Sequence, residues 1–366
     1  MNGTVYDFYA GGNTAKGYTS LLLSSLPGVE RLYVLKGGAG LGKICGLRSI
    51  GDRLAAAGHE VWRIACASDP DALDGWIVPA LKLGAIDATT PNALVPEASE
   101  AAIVEIDLDE ACDRRALAAR ETEIAELDRE IAGKFEQAYA GFAEALRVHD
   151  DWEKVYIGKM DFRAADELTG EWISRLFGDR QREGTAREAH RFLGAATPQG
   201  AVDFVPGLTD GLKRYLLKGR PGSGKSTMLK KLAAAAVERG FDAEIYHCGF
   251  DPNSLDMVVV RELGFAIFDS TAPHEYFPDR PSDEIVDMYE RCIAPGTDET
   301  YAEELAPIKQ QYSANMKRSI GLLTEARTLL DRLEQLYVEV ADRSALDSAA
   351  EQFRQEILGV AAVRGQ

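Results

Sequence analysis

The sequence predicts an α/β protein built from two tandem, duplicated P-loop lobes, each with a parallel sheet and each followed by a helical arm. Three observations carry that prediction. One is the segment KGRPGSGKST, Lys218 to Thr227, set between a strand-like and a helix-like run. Another is an earlier copy of that segment, KGGAGLGK, which sets Lys43 on Lys225. The last is a long stretch after each copy whose apolar residues recur at three- and four-residue steps.

The loop is explained by phosphate chemistry. Tyr215-Leu216-Leu217 reads as a strand and Met228-Leu229-Lys230-Lys231-Leu232 as a helix, so the order is strand, glycine loop, helix. Gly219 and Gly224 permit backbone angles that turn successive amides toward an anion, and Pro221, Gly222 and Ser223 complete the expected cradle. The following helix adds the positive end of its dipole. Lys225 is placed to reach the β- and γ-phosphates of ATP, and the Ser226 hydroxyl to ligate Mg²⁺, with Thr227 beside it. The plain alternative is a chance glycine-rich turn.

Bulk properties set limits. At 366 residues the chain can bury two or more cores. No long apolar run marks a membrane span, and MNGTVYDFYAGG lacks the basic-then-apolar order of a signal peptide, so a cytoplasmic location is expected. With 41 Lys+Arg against 59 Asp+Glu, the formal charge of −18 disfavours nucleic acid and anionic membranes as partners. Cys45, Cys66, Cys112, Cys248 and Cys292 show no CxxC spacing, so reduced thiols are expected.

The repeat runs without a gap for about fifty residues. Gly37, Gly40, Gly42 and Lys43 fall on Gly219, Gly222, Gly224 and Lys225. Cys66, Asp69, Pro70, Leu73 and Asp74 fall on Cys248, Asp251, Pro252, Leu255 and Asp256, and Asp87, Thr89 and Pro91 on Asp269, Thr271 and Pro273. Upstream, FYAGGNTAKG meets FLGAATPQG with one residue of slippage. The copies differ at Ile44, opposite Ser226, and Cys45, opposite Thr227. An isoleucine cannot ligate Mg²⁺. Lobe one is therefore expected to be catalytically degenerate and structural or regulatory, with activity through some other metal arrangement as the alternative, while Gly40, Gly42 and Lys43 leave it a candidate for holding a phosphate or nucleotide.

In lobe two, Lys225 to Arg239 reads as a helix stopped by Gly240, and Ala243 to Cys248 as the second strand. The stretch from Ser254 suits either a capped helix or a strand. Phe265-Ala266-Ile267-Phe268-Asp269 reads as a buried parallel strand ending in a carboxylate, with helices covering both faces of the sheet. Asp269 is thus the candidate Mg²⁺ ligand beside Ser226, with an ordinary strand-end turn as the alternative. Asp251 is a candidate for orienting water or an acceptor hydroxyl, although Asp-Pro also opens turns. Asp256 is a weaker candidate with a capping explanation. His247 and His274 face Ala65 and Asn92 in the other copy, so they serve either lobe two's site or its packing.

The arms come next. Ile124, Leu127, Ile131, Phe135, Tyr139, Phe142 and Leu146 form one stripe, and Tyr312, Met316, Ile320, Leu323, Leu330, Leu333 and Tyr337 the other. The stripes pack on the lobes or on each other, or else bind a protein partner or a second copy. The expected divisions are 1–95 (degenerate lobe), 96–185 (arm), 186–282 (intact lobe) and 283–366 (arm), with the polar segment GDRQREGTARE at the second boundary.

GRPGSGKST, YHCGFDPNSLDMV and AIFDSTAPHEYFP, with the duplicated AGGNTAKG and LKGGAGLGK half, resemble a family of uncharacterised bacterial tandem P-loop ATPases over nearly the whole chain. The resemblance implies ATP binding, with Lys225, Ser226 and Asp269 in the matching positions. Gly42-Lys43-Ile44 departs from the GKS or GKT that closes the first loop in many members.

The combined reading is a Mg²⁺-dependent ATPase working in lobe two and coupled to movement of lobes or arms, with Arg48 or Arg63 as an arginine reaching in from lobe one. A P-loop kinase acting on a small-molecule acceptor at the DPNSLD segment is one rival. A catalytically weak nucleotide sensor is the other.

Overall fold

A computed structural model describes residues 2–89, 92 and 100–364; Pro91 and the boundary expected at 95 lie outside them. Strands β1 (Val5–Phe8), β4 (Arg31–Lys36), β5 (Val61–Ala65), β6 (Leu73–Val78), β7 (Leu83–Asp87) and β8 (Ala102–Asp107) form one sheet, with the hairpin β2 (Gly11–Thr14) and β3 (Gly17–Ser20) beside it. Its order is β1-β5-β6-β7-β4-β8. The second half repeats every piece. Hairpin β10 (Gly194–Thr197) and β11 (Gly200–Asp203) accompanies a sheet of β9 (Glu188–Phe192), β12 (Lys213–Lys218), β13 (Ala243–His247), β14 (Leu255–Val260), β15 (Phe265–Asp269) and β16 (Glu284–Asp287). The order β9-β13-β14-β15-β12-β16 matches the first sheet strand for strand. Sheet one reaches residue 107 and sheet two residue 287, past the divisions expected at 95 and 282.

The sheets are mixed, which corrects the expected parallel sheet. β14 runs antiparallel to both β13 and β15, and β6 does the same in lobe one, while the other pairings are parallel. The ambiguous stretch after Ser254 is therefore a strand. Its Leu-Asp-Met-Val-Val-Val run is buried at every position because both faces are covered.

The cover differs from expectation on one face. Alternate residues Leu216, Met257, Val259, Ala266 and Phe268 of sheet two meet Val34, Trp62, Ile64, Ile77 and Ile86 of sheet one, so the two sheets pack on each other. The longer helices cover the outer faces, while two short helical turns, Leu22–Ser25 and Val205–Leu208, add Leu22, Val205 and Leu208 to the layer between the sheets. Arg191 of sheet two lies 3.8 Å from the Trp62 ring centre of sheet one, a cation–π contact across the seam, while its ion pair with Glu244 stays within sheet two.

Short helices α1 (Leu22–Ser25) and α2 (Leu47–Ala56) belong to lobe one; α5 (Val205–Leu208), α6 (Lys225–Glu238), α7 (Met288–Cys292) and α8 (Thr297–Thr300) belong to lobe two. The arms are α3 (Arg114–Ile157) with α4 (Phe162–Phe177), and α9 (Ala302–Val340) with α10 (Arg343–Arg364). Aspartates cap three of the four. Asp113 accepts from the amides of Arg115 and Ala116, Asp161 from Ala164, and Asp342 from Ser344 and Ala345.

The stripes predicted for the arms meet each other. Leu127, Ile131, Phe135 and Phe142 of α3 pack on Leu323, Leu330 and Leu333 of α9. The second helices then cross over. From the first arm, α4 buries Leu168, Trp172 and Leu176 against Met228, Leu229 and Leu232 of lobe two. From the second arm, α10 buries Leu346, Phe353 and Ile357 against Leu41, Leu47 and Ile50 of lobe one. Each lobe is thus completed by the arm of the other. Isolated bridges Cys112 to Ala341 and Met160 to Ile293 fasten the two ends of the long pair.

Candidate functional site

Lobe two's loop leaves β12 and enters α6 through glycines that the turn requires. Gly222 and Gly224 have φ of +74° and +87°, angles that a side chain resists. The Ser223 hydroxyl accepts the Arg220 amide at 3.2 Å and is buried, closing the loop against Gly219. Pro221 lies in the turn and Thr227 is exposed on α6. Good helix formers from Lys225 onward carry α6 to Glu238, and Gly240 at φ +80° ends it.

Lys225 is buried at the first turn of α6. Its Nζ donates to the Arg220 carbonyl at 3.0 Å and lies 3.6 Å from Asp269 Oδ2. Asp269 ends β15, where its Oδ1 accepts the Thr271 amide at 3.1 Å and the Thr271 hydroxyl at 2.6 Å. The Ser226 hydroxyl accepts the Leu255 amide at 3.0 Å, which brings the start of β14 against the loop. Asp256, the next residue, is buried one step beyond the Met257–Phe268 pair, on the side of Asp269. Burial and the Asp269 charge push its carboxyl up to about 7, against the pull of His274, Cys248 and Lys225. Lys225, Ser226, Asp269 and Asp256 therefore converge.

Asp251 closes its own turn, its Oδ1 accepting the Asn253 amide at 3.1 Å. Its duplicate shows what that position can reach, because Asp69 Oδ2 lies 2.5 Å from Lys43 Nζ. His247 is tied to the Pro252 carbonyl at 2.7 Å and to His190 at 2.8 Å, which is a packing role. His274 lies 2.7 Å from Asp203, which also accepts the Tyr276 hydroxyl at 2.6 Å. Burial opposes charge on His274, yet Asp203 holds its pKa above the ordinary histidine value. Burial likewise opposes charge on Asp203, and His274 and Tyr276 hold it below the ordinary range. Neither arginine expected from lobe one arrives. Arg63 is engaged by Asp7 and Asp52 in its own lobe, and Arg48 is exposed on α2.

The roof of lobe two's site is the far end of the first arm. A β-carbon at Gly222 would stand 2.6 Å from the Glu153 carbonyl oxygen, and one at Gly224 2.7 Å from Met160 Cε. His149 of α3 sits among Trp152, Phe250 and Tyr312 with ring centres 5.7–6.2 Å away. Burial lowers its pKa. No motif in the sequence marks these residues as part of a site.

Lobe one's copy is built differently. After the loop, Leu41–Cys45 makes only a 3₁₀ turn, Gly46 takes φ +64°, and α2 starts afresh at Leu47. Gly42 donates its amide to Thr89 Oγ1 at 3.0 Å, and Gly40 has φ +76°. Lys43 is clasped by Glu334 of α9, with both carboxylate oxygens within 2.8 Å. A β-carbon at Gly38 would fall 2.0 Å from the Tyr337 ring. Sequence could have pointed to this roof, because Glu153 and Tyr156 of α3 recur in α9 as Glu334 and Tyr337, one position off the spacing of the two loops.

Among the comparisons with known proteins, no family model, no curated protein and no solved structure matches the chain.

Proposed function

We propose that lobe two binds MgATP and hydrolyses it slowly, with the α3–α9 pair sensing the state of the loop. The carrying observation is the meeting of Lys225, Ser226 and Asp269 at the head of α6, in the one lobe whose loop runs straight into a helix. Lys225 and the loop amides would hold the β- and γ-phosphates. The hard oxygens of Ser226 and Asp269 suit Mg²⁺, which would neutralise charge on the transferring phosphoryl group. Asp251 is one short loop away, at the position from which Asp69 reaches its lysine, and would orient the attacking water. The Glu153 carbonyl and Met160 lie on the loop glycines, so a bound triphosphate would press on α3.

The test is phosphate release from MgATP by the full chain, alongside Lys225→Ala, Ser226→Ala and Lys43→Ala. Release lost in both lobe-two variants and retained in Lys43→Ala supports the reading. Measurable ATP binding without release from the unaltered protein overturns hydrolysis and leaves phosphoryl transfer to an acceptor, which a large acceptor stimulation would reveal.

A further inference from the structure

We propose that lobe one retains a latent oxyanion site whose resident ligand is the carboxylate of the chain's own Glu334. The inference stands apart from the reading of lobe two.

Two cations converge on that carboxylate. Lys43 Nζ lies 2.8 and 2.7 Å from Glu334 Oε1 and Oε2, and Arg327 donates to the same two oxygens at 3.0 and 3.3 Å. Bidentate, charge-assisted contacts of this kind are also how phosphate oxygens are held. The side chain enters through the loop itself, since a β-carbon at Gly40 would stand 2.6 Å from Glu334 Cγ. Gly40 at φ +76° matches Gly222 at φ +74°, so the turn through which the carboxylate enters is shared, while Gly42 lacks the left-handed angle of Gly224.

The other charged groups here are Asp69, 2.5 Å from Lys43 and 3.2 Å from Arg327, Asp331, paired with Arg327, and buried Asp87. Burial opposes charge on Lys43, yet Asp69 and Glu334 hold its pKa above the ordinary lysine value. Removing Glu334 leaves Lys43 and Arg327 facing the loop with Asp69 as their nearest shared anion.

The equivalent glutamate of the first arm does not do this. Glu153 turns toward His149, 3.8 Å away, while Lys225 bonds the Arg220 carbonyl. Arg327 also has no cationic counterpart, because the register that sets Glu153 on Glu334 sets Leu146 on Arg327. The plug therefore belongs to lobe one alone.

The experiment is calorimetric titration of the full chain carrying Lys225→Ala, which silences lobe two, with and without Glu334→Gln. Pyrophosphate and ATP are titrated separately, which separates a site for a bare oxyanion from one for a nucleotide's phosphates. A one-site isotherm should appear, or tighten at least tenfold, on adding Glu334→Gln and vanish on further adding Lys43→Ala. A cooperatively melting Glu334→Gln variant that takes up neither ligand overturns the proposal. So does a Lys225→Ala parent that already binds as tightly through Lys43. If Glu334→Gln does not fold, Glu334→Ala removes the same carboxylate and is read in the same way. Binding of ATP that survives Lys225→Ala in the otherwise unaltered chain and ignores Lys43→Ala would count against the lobe-two reading instead.

Discussion

Lobe one and lobe two share sheet order, hairpin and glycine framework, yet they treat their loop lysines in opposite ways. Lys225 rests between the Arg220 carbonyl and Asp269 at the head of an unbroken helix. Lys43 is closed in by Asp69 and Glu334 on a 3₁₀ turn that never joins α2. Few residues separate the two outcomes. Ile44 removes the hydroxyl, Gly46 at φ +64° breaks the helix where lobe two has Met228, and Arg327 steadies the plug where α3 has Leu146. A duplicated scaffold can thus keep its sheets while the loop backbone and the partners of its lysine diverge.

The largest expected effect tests that contrast directly. Lys225→Ala should weaken MgATP turnover by about 10³-fold, in the range lost when a phosphate-stabilising cation is removed, whereas Lys43→Ala should change it by less than about twofold. Equal losses measured by phosphate release would break the comparison.

Next in size are the crossed arms. Trp172→Ala and Phe353→Ala each remove a buried aromatic from an arm–lobe seam and should cost about 3–5 kcal/mol in urea unfolding. Only Trp172→Ala, which lies in the first half of the chain, should also weaken ATP binding to lobe two. Loss confined to Phe353→Ala would invert the assignment of arm to lobe.

A third test uses pH. With a raised pKa on His274 and a lowered one on Asp203, their pairing is fully stabilising between about pH 4 and pH 6.5, the ordinary values of the two groups. It fades as pH rises through the raised His274 value and as pH falls through the lowered Asp203 value. His274→Gln should cost roughly 2–4 kcal/mol near pH 6 and clearly less near pH 9. Asn92→Ala, at the matching site in lobe one, removes a hydrogen bond to Ser68 and should cost about 1 kcal/mol without that pH dependence. Chemical denaturation across the range reads both.

The smallest difference lies in the loop glycines. Gly222→Ala and Gly40→Ala both strain a positive φ, at about 1 kcal/mol. The added methyl meets a backbone carbonyl in the first case and the flexible stem of Glu334 in the second. The melting temperature should therefore fall further for Gly222→Ala.

Much of this architecture was legible in the sequence. The repeat that sets Lys43 on Lys225 located both loops, and the apolar stripes of both arms met as helices. The mixed sheet was missed although a signal existed. The short turn between His247 and Leu255 is too brief for a parallel crossover, and only Arg261 to Gly264 separate β14 from β15. The crossing of the arms left no such trace, because an amphipathic stripe shows that a face is buried without saying against which lobe. Glu334 left only the faint trace of its recurrence opposite Glu153, because on a polar helix face a glutamate looks solvated until a partner lysine is folded beneath it.

The exchange of arms has a consequence for the chain's history and handling. Segment 178–187, between α4 and β9, is the one covalent join between two halves that otherwise hold each other as a swapped pair does. A single half on its own would carry a bare lobe and an orphaned arm, each complementary to the other half. The fold has the form of a pseudo-twofold pair fused head to tail, with two loops that are no longer equal. Fragments 1–182 and 183–366, produced separately, are accordingly expected to recognise each other on mixing.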